Sequence, residues 1–105
     1  MNRAEIWIAD LPSRDKRRPV VLVSRGVAYE TRELVTVAPI TSRVRQIASH
    51  VSVGPADGIQ QRSAINCDRL QTIHRSLMRT RVGPLSPPKI EELDDALRYA
   101  LGLER

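Results

Sequence analysis

The 105-residue sequence predicts a mainly β protein with one C-terminal helix, folded as a single domain over residues 1–105. Short runs of β-branched and apolar residues are separated by Gly, Pro and Ser turn signals, and the clearest helical period lies at the end of the chain. The connections between the runs are too short for parallel βαβ units. We therefore expect a small, strongly bent sheet or partly open barrel with a helix packed against it.

The strands follow from the spacing of apolar residues. Val20–Val23 is a continuous apolar run, which is typical of a strand covered on both faces, whereas HVSV at 50–53 alternates. Residues 25–33 are polar and irregular and allow one helical turn, GPADG at 54–58 predicts a turn, and HRSLMRT at 74–80 predicts a short helix. The predicted strands are residues 4–10, 20–23, 34–40, 50–53, 63–67 and 81–85.

The last element is the most clearly marked. Ser86 is placed as its N-cap, Pro87 as its first helical residue and Gly102 as its terminator. Its apolar residues recur at helical spacing, which predicts one stripe lying on the sheet: Ile90, Leu93, Leu97 and Leu101.

The charge favours a polyanionic partner. Seventeen Lys and Arg stand against twelve Asp and Glu, and almost all of the cations are arginine, whose planar fork matches phosphate oxygens. With no Phe, one Trp and two Tyr, the chain lacks broad aromatic platforms for stacking bases. The single cysteine, Cys67, excludes an internal disulfide and a Cys-rich zinc site. No stretch approaches the length of a membrane span, so we expect a cytoplasmic protein.

No strong catalytic motif is present. The sequence has no P-loop, nucleophile elbow, His-Glu pair at metal spacing or carboxylate cluster, so we expect neither a metal nor a cofactor. What remains are polar residues at strand ends, namely Arg17, Arg18, Thr41, Ser42 and Asp68, which a barrel could gather at one rim. Such residues suit metal-free RNA cleavage, in which the 2′-hydroxyl of the substrate attacks phosphorus and the protein supplies charge, donors and a proton acceptor.

Five segments in order, EIWIADLP, RRPVVLVS, TVAPITS, CDRLQTI and VGPLSPPKIEELDDALRYALGL, resemble the MazF/PemK/Kid family of bacterial toxins. The resemblance covers residues 3–103. It implies a partly open barrel of the Src-homology-3 kind, as in CcdB and PemK toxins, and a homodimer. It also implies sequence-selective, metal-independent cleavage of single-stranded RNA that leaves 2′,3′-cyclic phosphate and 5′-hydroxyl ends and inhibits translation and growth. A cognate MazE-like antitoxin would place an acidic, extended segment in the basic groove.

The resemblance also suggests site residues. Arg18 matches the arginine of the family's "RPV" segment, Thr41 the threonine of "PIT", and Asp68 an acidic position with a proton-transfer role in Kid-like members. Asn66 stands where those members have arginine. Arg69 stands where glutamine is usual, and Gln71 stands where many relatives have arginine. The loop SRDKR is shorter than usual, so the bases admitted should differ. The expected RNA-binding residues are Lys16, Arg17, Ser42, Arg43, Arg69 and Gln71.

Other interpretations remain open. CcdB toxins share this barrel and poison DNA gyrase without a nuclease site, and a degenerate member would act only in antitoxin binding and operon repression. Arg18 could be a strand-end charge or a partner of Asp10 or Asp68. Thr41 and Ser42 are also good turn formers. His50, like His74, is expected to be a surface residue rather than an acid or base.

Overall fold

The computed structural model describes residues 1–12, 17–26 and 32–103. Over these residues the chain forms seven antiparallel strands and a C-terminal α-helix, which confirms the predicted mainly β class. The elements are β1 (Glu5–Asp10), β2 (Arg17–Leu22), β3 (Leu34–Thr41), β4 (His50–Val53), β5 (Ser63–Asn66), β6 (Gln71–His74), β7 (Met78–Pro84) and α1 (Pro87–Leu101).

The sheet bends around β3, which is its longest strand. The strand order is β4-β5-β3-β2-β1-β7, and β6 also pairs with β3. The first half of β3 pairs with β6 and its last two residues pair with β5, while its other edge pairs with β2. Because one strand serves two partners along the same edge, the sheet divides into two parts at β3. In the described part of the chain β4 and β7 are not paired with each other, so the barrel stays open.

Two hydrophobic clusters lie on opposite faces of the central strands. Val21 of β2 faces the cluster beneath α1, which contains the buried Leu93, whereas Val20 faces the second cluster with Val37 of β3. Strand side chains alternate between faces, so a strand covered on both sides must be apolar at consecutive positions. The continuous run in β2 is therefore explained by burial on both faces, as the sequence predicts.

One predicted strand and one predicted helix need correction. The second strand begins at Arg17 rather than at residue 20, which places Arg18 inside a strand. Residues 74–80 do not form the predicted helix: β6 ends at His74, a 3-10 turn spans Arg75–Leu77, and β7 begins at Met78. The pattern here has a period of two, with Ile73 buried between exposed neighbours, and pairing of β6 with β3 overrides helical propensity. In the polar stretch 25–33, residues 27–31 lie outside the described residues.

The C-terminal helix begins and ends as predicted. Ser86 occupies the N-cap position, and Gly102 ends the helix in the left-handed region with φ +68°. The apolar stripe is wrong at one position, since the Leu101 side chain is exposed and Ala96 is buried in its place. Ala100 still packs against the core cluster, so the last turn keeps its contact while the Leu101 side chain faces solvent. No helix in the described residues is long and apolar enough to cross a membrane.

Candidate RNA-cleavage site

Strand register brings the two main candidates together. Val20 of β2 is the Cα partner of Pro39 of β3. Continuing this antiparallel register by two residues sets Arg18 opposite Thr41. Side chains of opposed residues lie on the same face of a sheet, and both of these line one cleft. An arginine and a threonine separated by 22 residues in sequence are thus placed side by side by the β2–β3 pairing.

The next two strands extend the same face. Thr41 is the partner of Ala64 on β5, and His50 of β4 is the partner of Asn66. Since residues two apart on a strand share a face, Asn66 and His50 lie on the cleft side of the sheet. Their neighbour Ile65 faces the core beneath the helix. The cleft wall therefore continues without interruption from β2 across β3 and β5 to β4.

The cleft has a volume of about 430 Å³ and a strongly positive lining. Four guanidinium groups and one carboxylate are found among its described lining residues, which suits a phosphate-bearing ligand rather than a cationic or neutral one of the same size. Its described lining residues are Arg18, Pro39, Thr41, Arg43, Arg45, Ile47, His50, Asn66, Asp68 and Arg69.

Two hydrogen bonds hold Asp68, and a third holds the serine that binds its carboxylate. It lies in the 3-10 turn Cys67–Arg69 that follows β5, where its backbone N–H donates to Asn66 Oδ1 at 3.0 Å. The buried Ser49 hydroxyl donates to Asp68 Oδ2 at 2.5 Å, and the Cys67 N–H donates to the Ser49 carbonyl at 3.0 Å. Because one carboxylate oxygen is held by Ser49, the other is the one left for a ligand.

Thr41 serves both the local turn and the cleft. Its Oγ1 accepts the backbone N–H of Arg43 at 3.1 Å, which is the turn-forming bond that the sequence allows. A hydroxyl that accepts one bond still has its own proton to donate. The turn therefore orients the Thr41 oxygen without occupying its donor.

The remaining predicted RNA-binding residues are divided. Arg43 and Arg69 line the cleft, and Ser42 lines a neighbouring pocket of about 590 Å³ that also contacts Arg18. Arg17 and Gln71 line neither pocket, and Lys16 lies outside the described residues. Three of the six predicted RNA-binding residues therefore line a pocket that Arg18 also lines.

Two carboxylates on β1, those of Asp10 and Glu5, form three ion pairs with arginines of the neighbouring strands β2 and β7. Hydrogen bonds from Arg17 and from Arg79 lower the pKa of Asp10 to about 2 and join β1 to its neighbours β2 and β7. Burial works to raise the pKa of Glu5, but hydrogen bonds from Arg81, the Asn2 backbone and the Trp7 indole outweigh it and bring the pKa to about 2. Both carboxylates are therefore charged structural partners rather than proton acceptors for a substrate.

Sequence reasoning missed three cleft residues. His50 was expected at the surface, Asn66 was considered only for the arginine that it replaces, and Arg45 was not singled out. The signal for His50 was the alternation in HVSV, and the signal for Asn66 was its place beside the apolar Ile65. Each lies next to a buried residue that faces the other way. No group of three or more His, Cys, Asp and Glu able to hold a metal ion occurs in residues 1–12, 17–26 and 32–103.

The bent antiparallel sheet and the arginine-lined cleft define a small β protein with a site for a polyanion. A family model described as "PemK-like, MazF-like toxin of type II toxin-antitoxin system" matches residues 2–101. The chain belongs to this family of toxins.

Relatives support this membership over nearly the full length. The chain is 37% identical over 99 residues to "Endoribonuclease MazF3" of Mycobacterium tuberculosis, covering 94% of this chain and 93% of the relative. The solved structure "Mycobacterium tuberculosis toxin MazF-mt6" matches with a TM-score of 0.89 at 37% identity, covering 96% of this chain and 99% of that one. A mycobacterial "Endoribonuclease in complex with its cognate antitoxin" shares the fold, with a TM-score of 0.88 at 24% identity and coverage of 100% and 98%.

Proposed function

We propose that this chain is the toxin of a type II toxin–antitoxin pair, a metal-independent endoribonuclease that cleaves single-stranded RNA sequence-selectively in the cytoplasm, as one domain in a homodimer. The observation that carries the proposal is that Arg18 and Thr41 meet in one arginine-lined cleft of a chain whose relatives are named endoribonucleases. The alternative of a gyrase-binding toxin would make this convergence incidental. The expected consequences of cleavage are inhibited translation and growth.

The reaction proceeds by attack of the substrate on itself. The 2′-oxygen forms a bond to phosphorus, the bond from phosphorus to the 5′-oxygen breaks, and the products carry a 2′,3′-cyclic phosphate and a 5′-hydroxyl. Asp68 takes the 2′-hydroxyl proton on the carboxylate oxygen that Ser49 does not hold, and the departing 5′-oxygen takes a proton from solvent. No step requires a nucleophile from the protein.

Arg18 and Thr41 stabilise the charge that develops on the phosphate oxygens. An arginine keeps its proton throughout the neutral range, so Arg18 acts as a fixed cation rather than an acid. The Thr41 hydroxyl donates to a second oxygen, since its backbone partner occupies only its acceptor side. Donors preorganised in this way are worth more than flexible ones because they need no reorganisation during the reaction.

Binding of the RNA strand extends beyond the scissile phosphate. Arg43 and Arg69 contact neighbouring phosphates in the cleft, and Ser42 faces the second pocket where an adjacent nucleotide fits. Contacts of Lys16, Arg17 and Gln71 with RNA stay predictions. The shared position of Arg18 between the two pockets supports a path for the strand from one to the other.

The partner expected for this toxin is a MazE-like antitoxin. A structural relative is solved as an endoribonuclease with its cognate antitoxin, and the cleft described above carries the charge that an acidic, extended segment would complement. Such a segment would block the cleft by occupying the phosphate sites.

The proposed function is tested by incubating the purified protein with a mixed RNA pool in the presence of a chelator and mapping the new 5′ ends. We expect discrete cuts with 5′-hydroxyl ends, and Arg18→Ala should reduce the cleavage rate by about 10²- to 10³-fold, as removal of one preorganised donor does in other enzymes. Cleavage that requires added magnesium would overturn the metal-independent mechanism.

A matched control separates this effect from general loss of charge. Arg98 lies on α1, away from the cleft, and pairs with Asp95 at 2.9 Å. Arg98→Ala removes one arginine and should leave cleavage unchanged, with circular dichroism confirming that both variants fold. Equal cleavage by Arg18→Ala and the native protein would remove Arg18 from the site.

A further inference from the structure

His50 is a cleft residue to which the proposed reaction gives no task. Its side chain lies on the cleft face of β4, opposite Asn66 on β5, and lines the same cleft as Arg18 and Thr41. It is partly exposed, so a ligand in the cleft can reach the ring. The alternation in HVSV indicates its face of the strand but not the cleft that this face lines.

The ring is not tied into the scaffold that holds the other polar cleft residues. Thr41 accepts from the backbone, Asn66 accepts from the Asp68 backbone, and Asp68 accepts from Ser49. By contrast, Nδ1 of His50 is buried without a hydrogen-bond partner among the described residues. A buried polar atom left unpaired in a ligand-sized cleft calls for an explanation.

The buried Nδ1 determines which nitrogen of the His50 ring carries the proton. A neutral imidazole carries its proton on one nitrogen and a lone pair on the other. A buried N–H without an acceptor is the costlier of the two arrangements, so the proton belongs on Nε2 and the lone pair on Nδ1. An imidazolium would need an acceptor for the second N–H, and none lies at Nδ1 in the part of the chain described. The ring therefore offers the cleft an N–H donor.

We propose that neutral His50 donates its Nε2–H to a phosphate oxygen of the bound RNA, as a third donor beside Arg18 and Thr41. The inference rests on the proposed function and adds a substrate contact to it. Phosphate oxygens are the acceptors that a cleft with four guanidinium groups attracts. The ring keeps its proton during the reaction and takes no part in proton transfer.

The test compares three substitutions of His50 in single-turnover cleavage of one RNA oligonucleotide. In His50→Gln the amide nitrogen lies close to the position of Nε2, in His50→Asn it lies close to Nδ1, and in His50→Leu there is no donor. We expect about 10²-fold slower cleavage for His50→Leu and for His50→Asn, the contribution of one such donor, and a loss of less than about 10-fold for His50→Gln.

The pH dependence distinguishes a fixed donor from a proton carrier. The charged groups that face His50 in the described cleft are Arg18 from β2, Arg43 and Arg45 from the segment after β3, and Asp68 and Arg69 from the turn after β5. Arginine does not titrate in the working range, which leaves Asp68 as the other titratable group. Because a donor transfers no proton in the reaction, His50→Gln should keep every limb of the native rate profile, whereas loss of a proton carrier removes one.

Several outcomes would overturn the inference. Native rates in His50→Leu would show that the ring contacts nothing that matters for cleavage. A His50→Gln variant that is as slow as His50→Leu and lacks a limb of the native pH profile would make the ring a proton carrier instead. His74, an exposed histidine on β6 whose ring forms a hydrogen bond with Ser76, provides the control, because His74→Leu should cleave at the native rate.

The outcome for His50 is separable from the outcome for the proposed function. If the native protein cleaves no RNA, the nuclease proposal fails, and binding of a 2′-O-methyl oligonucleotide then replaces cleavage as the measure. Weaker binding by His50→Leu and His50→Asn than by His50→Gln would still support the phosphate contact. Equal binding by all three would refute it.

Discussion

Raising the salt concentration should weaken RNA binding by an amount that follows from the number of arginines in the cleft. Four guanidinium groups line it in the part of the chain described. Each phosphate neutralised on a single strand contributes about 0.7 to the slope of log K against log salt, so full engagement gives a slope of about −2.8. A rise from about 50 to about 200 mM salt should then lower the affinity about 50-fold.

The assay is fluorescence anisotropy with a 2′-O-methyl oligonucleotide, which binds without being cut. Arg45→Gln removes one cleft cation and should reduce the slope by about 0.7, whereas Arg98→Gln on the distant helix should leave it unchanged. A flat salt response of the native protein would show that its main ligand is not a polyanion. An unchanged slope in Arg45→Gln would show that RNA does not lie along this cleft.

Two further predictions concern the framework. The pKa of Glu5 is lowered from 4.5 to about 2, so the charged carboxylate stabilises the fold above about pH 4.5 and this effect is lost as the pH falls towards 2. Allowing for screening at the half-exposed Arg81, the free energy of unfolding of the native protein should fall by about 2 kcal/mol over this range, and that of Glu5→Gln should not; equal acid unfolding of the two would contradict this. Gly58 has φ +87°, and a Cβ there would lie 2.9 Å from Val82 Cγ1. Gly58→Ala should therefore lower the free energy of unfolding in urea by about 1–3 kcal/mol, and an unchanged midpoint would contradict this reasoning.

Much of the fold could be predicted because strand and helix signals agree with the environment of each element. The run in β2 is apolar on both faces because it separates two clusters, and α1 carries its own start and stop signals. The prediction of a helix over residues 74–80 is wrong because it rested on local helical propensity. Its strands exist through pairing of β6 with β3 and of β7 with β1, and neither pairing is visible in the local sequence.

The site was predicted in part, first from polar residues at strand ends and then from a resemblance that marked individual residues. Arg18 and Thr41 were expected together on that basis, and the structure places them in one cleft. His50 could not be assigned to it, because its position depends on the β4–β5 register and on the long β3 strand that joins β5 to β2. A sequence indicates which face of a strand a residue occupies but not which distant strands share that face.

Arg17 and Arg18 begin the second strand and have different tasks. Arg17 is the Cα partner of Asp10 and pairs with it at 2.9 Å, on the side of the strand away from the cleft. Arg18 follows on the opposite side and faces Thr41. A slip of one residue in the β1–β2 register would exchange the two arginines between these faces. The pair of Asp10 and Arg17 therefore favours the register that brings Arg18 to the phosphate, which links a solvent-exposed ion pair to the geometry of the proposed site.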